Sequence, residues 1–128
     1  MNNNLKINTS YYSKFKHFPI SSTLVSVSRK SPYWIPGLNK FEKLYPSWNL
    51  IKDFKNNLIS INEYTDRYYK EVLNKISPEL IIKYLKFVSK NNFVILLCWE
   101  KPDQFCHRHL IATYIQENTN YIVNELQY

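Results

Sequence analysis

The sequence predicts one α/β domain over residues 1–128: a three-layer, Rossmann-like sandwich, with a small, mostly parallel sheet and helices on both faces. Three observations predict it. Apolar runs of strand length alternate with capped helical segments, the pattern of a sheet covered by helices. The run Phe93-Val94-Ile95-Leu96-Leu97 is continuous rather than alternating, as in a strand buried on both faces. A single Gly among 128 residues leaves few positions for the positive-φ turns that hairpin-rich folds require.

The elements follow in order. A short strand is expected near Leu5–Asn8, then a helical turn around 11–17 and a strand at Thr23–Ser28. Residues 29–46, with Pro32, Pro36, Gly37 and Pro46, read as an irregular loop. Such a long loop in a small domain is often functional. Ser47 caps a helix with Trp48, Ile51 and Phe54 on one face. Ser60-Ile61-Asn62-Glu63 is a capping box ahead of a stripe of Tyr64, Tyr68 and Val72. Ser77-Pro78-Glu79 supplies a cap, a first-turn proline and a first-turn acid for a third helix, whose Leu80, Ile81, Tyr84, Leu85 and Val88 form an apolar face. The stripes of these three helices are read as core. A strand at 93–98, a helix at about 106–117 and a strand at Tyr121–Leu126 complete the chain.

Composition narrows the function classes. Hydrophobic residues make up 45% and aromatics 16%, which excludes a disordered chain. No apolar run approaches 18 residues and the start Met1-Asn2-Asn3-Asn4 has no signal-peptide core, so a cytoplasmic protein with no membrane partner is expected. In that compartment the two cysteines are expected as free thiols or ligands rather than as a disulfide. The net charge of +7 lies wholly in residues 1–60, where nine Lys or Arg meet two acids; residues 61–128 are balanced at eight of each. Lys14, Lys16 and Lys30 there interleave with Tyr11, Tyr12, Tyr33 and Trp34. Cations beside stacking rings suit nucleotides or single-stranded nucleic acid, although a solvated basic face over an aromatic core would look the same.

Chemistry concentrates between Phe93 and Ala112. Both cysteines, two of three histidines and one of three arginines fall within residues 98–109. The apolar strand delivers Cys98, Trp99 and Glu100 at its C-terminal end, and Cys106-His107-Arg108-His109 opens the next helix. A strand's C-terminal end beside a helix N-terminus is the usual ligand position in an α/β protein.

The segments Leu97-Cys98-Trp99-Glu100-Lys101-Pro102 and Phe105-Cys106-His107-Arg108-His109-Leu110-Ile111-Ala112 resemble the signature of a bacterial and phage family of uncharacterised proteins, domain of unknown function 488 (DUF488). Thr9-Ser10-Tyr11-Tyr12, Ile20 with Val27-Ser28-Arg29, Leu44-Tyr45-Pro46-Ser47, and Glu63-Tyr64 with Arg67-Tyr68 extend the resemblance over nearly the whole chain. Larger members commonly carry an acid before the second-strand arginine, whereas this chain reads Ser26-Val27-Ser28-Arg29. The resemblance implies an α/β sandwich and no established activity.

The expected ligand is therefore phosphate-bearing, a nucleotide or nucleic acid. Arg108 and Arg29 are expected to clamp the anion, with Ser10, Tyr11, Ser28 and Cys98 bordering the crevice. The plainer reading of Arg108 is a brace paired with Glu100. Glu100 is expected as a general base or hydroxyl acceptor, and hydrolysis or transfer is the leading reaction class if turnover occurs. A thiol enzyme or redox sensor is the alternative, with Cys106 as a low-pKa nucleophile beside His107. Another is a non-enzymatic module binding nucleic acid or protein through its basic face. No cofactor is implied. Cys98, Cys106, His107 and His109 lack the Cys-x-x-Cys spacing of structural zinc sites, so no metal site is read. The separation of Cys98 and Cys106 allows them to approach without requiring it.

Overall fold

The computed structural model describes residues 4–127. Five parallel strands form one sheet in the order β3-β2-β4-β1-β5. They are β1 (Lys6–Tyr11), β2 (Thr23–Ser26), β3 (Asn39–Lys40), β4 (Phe93–Cys98) and β5 (Val123–Glu125). The helices are α1 (Trp48–Lys55), α2 (Ile61–Glu71), α3 (Pro78–Val88) and α4 (His107–Asn118). Among the described residues, no helix is long and apolar enough to cross a membrane.

The central strand is β4, paired with β1 from Lys6↔Phe93 to Tyr11↔Cys98 and with β2 from Thr23↔Val94 to Ser26↔Leu97. Its side chains alternate between two cores. Val94, Leu96 and Cys98 join Ile7, Val25 and the apolar faces of all four helices, while Ile95 and Leu97 join Tyr12, Phe18, Leu24 and Ile35. The third layer is thus a 3-10 helical segment, Tyr12–His17, together with part of the 29–46 loop.

Connectivity explains this asymmetry. β1→β2 and β2→β3 travel one way along the sheet; β3→β4 and β4→β5 travel the other. With a common right-handed crossover, opposite directions place their connections on opposite faces. All four α-helices belong to the second group, so all four share a face.

Local chemistry sets the helix ends. Ser47, Ser60 and Ser77 accept from Leu50, Glu63 and Leu80 N–H groups, and Glu63 completes its capping box on Ser60. α1 ends in a Schellman arrangement, with Asn57 N–H on Phe54 and Leu58 N–H on Asp53 carbonyls. Asn57 takes the left-handed conformation at φ +59° that Gly fills in most chains. Where the sequence suggests a continuous loop over 29–46, Asn39–Lys40 forms a short edge strand on β2 and Glu42–Leu44 a single 3-10 turn.

Candidate functional site

The connections leaving β2 and β4 go to opposite faces, and a cleft of about 590 Å³ opens beyond the C-terminal ends of these adjacent strands. Such reversals of strand order are where open α/β sheets bind ligands. One wall comes from Ser28, Arg29 and Lys30 after β2, another from Trp99 and Glu100 after β4. Trp48, Ile51, Phe54 and Lys55 of α1 line the third, and Cys106 and His107 lie at the start of α4.

Arg29 is exposed at this cleft. Its Nε donates to the Pro46 carbonyl at 2.7 Å, and its guanidinium lies 5.6 Å from the Trp48 ring centre and 6.0 Å from that of Tyr45. The Lys30 ammonium lies 5.9 Å from the Trp48 ring. No described carboxylate pairs with either cation. Beneath them, the Tyr12 hydroxyl meets Ser26 Oγ at 2.7 Å and Ser28 Oγ at 2.6 Å, and Ser28 Oγ donates to the Lys30 carbonyl. Burial pushes the Tyr12 phenol pKa up, so the phenol stays neutral. The turn that carries Arg29 is thereby tied to the sheet. Trp99 reaches across from β4, donating Nε1–H to the same Lys30 carbonyl at 2.8 Å.

Arg108 is expected to clamp a ligand, but the structure places it elsewhere. It is fully buried and does not line the cleft. Nε and Nη2 grip the Glu125 carboxylate at 3.1 and 2.8 Å, and Nη1 donates to the Glu100 carbonyl at 2.7 Å and to Cys98 Sγ at 3.1 Å. Where the sequence suggests Glu100 as the paired acid, the acid is Glu125, and Glu100 contributes its carbonyl. The Glu100 carboxylate is left exposed at the cleft.

Cys98 and Cys106 are expected as free thiols or ligands, yet the structure joins them in a disulfide. The bond links the end of β4 to the residue capping α4 and closes the 99–105 loop between them. Cys106 is 2% exposed, so in this form it offers no free thiol for nucleophilic attack. His107 lies beneath it, with Nε2 2.6 Å from the Val27 carbonyl. Burial lowers its pKa to about 4, and the Arg108 charge adds to this against the Val27 hydrogen bond.

Four further expected positions are not at the cleft. Ser10 is buried on the opposite sheet face, whose β1 parity it shares with Asn8. Tyr11 is opposite Cys98 in the register, with its ring 6.0 Å below the Arg108 guanidinium. Tyr33 and Trp34 do not line the cleft; Trp34 packs against Phe15 on the opposite layer. Conversely, Trp48 and Lys55 escape the sequence reading. Helical periodicity assigns Trp48 to the core, yet it is 48% exposed. Its position as first residue of α1, directly after Pro46-Ser47, is the one signal that could have placed it at a loop edge.

The fold and cleft define the class: a parallel α/β domain with a cationic, aromatic-walled crevice at a reversal of strand order. The chain belongs to the DUF488 family, since the family model described as the active DUF488-N3 subclade matches residues 19–119. That span includes the β2 turn, α1, the 98–106 pair and all of α4. No curated protein and no solved structure matches the chain.

Proposed function

We propose that the protein binds a phosphate-bearing ligand, a nucleotide or a stretch of nucleic acid, in the cleft between the C-terminal ends of β2 and β4. One observation carries this reading: Arg29 and Lys30, without carboxylate partners, flank the exposed Trp48 ring at the mouth of a cleft whose far wall bears Glu100. Arg29 is anchored through Nε alone, which leaves both terminal nitrogens for a bidentate grip on phosphate oxygens. Lys30 and Lys55 add positive charge along the same path. A base stacked on Trp48 or Trp99 would contribute about 1–3 kcal/mol. Glu100 then accepts from a hydroxyl or base edge, or takes the proton of an attacking water in a hydrolysis or transfer. Arg108 acts at one remove by fixing the Glu100 backbone.

A thermal-shift screen with nucleotides and short oligonucleotides tests this. Ligand at 100 times its dissociation constant adds about 2.7 kcal/mol of apparent stability. The expected result is a shift with such ligands that is lost in Arg29→Ala. A shift unaffected by Arg29→Ala, or none with any nucleotide or oligonucleotide, would remove the proposal. Lys14 and Lys16 lie on the 3-10 segment of the opposite layer, so exchanging them for Glu separates this reading from a basic-face interaction module.

A further inference from the structure

We propose that Cys98, Cys106 and His107, with the cysteines as a dithiol, hold one thiophilic divalent cation of the zinc class at the inner edge of the cleft. The three donor atoms lie within 4.8 Å of one another. Their residues are 1%, 2% and 7% exposed. Adjacent residues seldom converge on one ion, but Cys106 is extended at φ −150°, ψ 142° and His107 is the first helical residue. That change of backbone turns both side chains inward, bringing His107 Nδ1 to 4.0 Å from Cys106 Sγ.

The histidine is set for ligation. A carbonyl can only accept, so the 2.6 Å contact with Val27 fixes the proton on Nε2 and leaves the Nδ1 lone pair toward the sulfurs. An outer carbonyl of this kind orients most metal-binding histidines. The Cα atoms of Cys98 and Cys106 are 7.5 Å apart, wider than the roughly 4.4–6.8 Å usual for a disulfide. An ion between the sulfurs, with two bonds of about 2.3 Å, suits that spacing.

Charge balances as well. Two thiolates neutralise the dication, and the Arg108 donor on Cys98 Sγ stabilises one of them while its own charge is met by Glu125. On the solvent side, Glu100 Oε1 is 3.7 Å from Cys98 Sγ, in place for the fourth position or for holding a water there. A dithiol reductant converts the Cys98–Cys106 disulfide to two thiols and is itself oxidised to a disulfide. The cation then displaces one proton from each thiol. This site does not depend on the phosphate-ligand reading, whose test turns on Arg29.

Cobalt(II) added to the full chain, reduced with a phosphine and kept anaerobic, provides the test. The expected result is stoichiometric binding with a thiolate-to-cobalt charge-transfer band, discharged by zinc and absent from the disulfide form. His107→Gln should weaken cobalt binding by about tenfold or more and move the visible bands. If the reduced chain presents two titratable thiols but no charge-transfer band, the site is refuted. Failure of the folded chain to yield those thiols refutes it equally, and a His107→Gln variant indistinguishable from wild type removes the three-ligand set. The wild-type titration decides even if Cys98→Ser or Cys106→Ser fails to fold.

Discussion

Arg108 and Glu125 meet fork to fork between α4 and β5, at 3.1 and 2.8 Å, with the arginine fully buried and the glutamate side chain 16% exposed. Removing one member of such a pair strands the other's charge, whereas the intact pair adds little over an apolar substitute. Arg108→Met should therefore cost about 3–5 kcal/mol, the range for breaking a buried pair. The double variant Arg108→Met with Glu125→Met should cost less than the two singles together. Urea midpoints of all four proteins give the coupling; additive losses would show that the two side chains do not act as a unit.

Acid should unfold the protein in two stages. His107 is held neutral in the fold at a pKa of about 4, against 6.5 for the ordinary side chain. Below pH 6.5 the unfolded chain takes up the proton first, so stability falls between about pH 6.5 and 4, by on the order of 3 kcal/mol. Desolvation opposes the charged form of Glu125, but hydrogen bonds from Arg108 and Thr9 outweigh it and hold the carboxyl below its usual range. Its contribution is complete above the unfolded value and is lost as pH falls further. His107→Gln, measured with chelator and the disulfide intact, should flatten the upper limb only. An unchanged limb would mean that another group carries it.

Tyr12 ties the third layer to the turn carrying Arg29. Tyr12→Phe removes the partner shared by the Ser26 and Ser28 hydroxyls and should cost about 1–2 kcal/mol. It should also weaken ligand binding, because the Ser28–Lys30 turn loses its anchor. Lost stability with unchanged affinity would separate the network from the cleft.

Trp48→Ala should leave stability within about 1 kcal/mol, since an exposed side chain has little burial to lose. Nucleotide affinity should fall by about 1–3 kcal/mol, the worth of one base stack. Equal losses in the folding and binding measurements would mark Trp48 as structural.

Much of this was legible in the sequence because it is local. Ser47, Ser60 and Ser77 start their helices where a side-chain oxygen can reach an N–H three residues on. The β4 strand reads at its full length because a doubly buried strand needs no alternation. Nonlocal facts were hidden. Nothing near Arg108 points to Glu125, which approaches only because β5 pairs beside β1. The disulfide likewise depends on where α4 starts relative to the end of β4. The two-residue β3 is too short for any period to show. Trp48 escapes a sequence reading because amphipathic spacing marks an apolar face without saying whether protein or a cleft lies against it.

The outermost strands, β3 and β5, have only two and three residues, while the inner three have four to six. An approaching chain would find few adjacent free N–H and carbonyl groups on either border, too few to template another strand. The sheet is thus guarded against growth into fibrils or runaway association by the brevity of its margins, and its one continuous hydrophobic strand, β4, is kept to the interior.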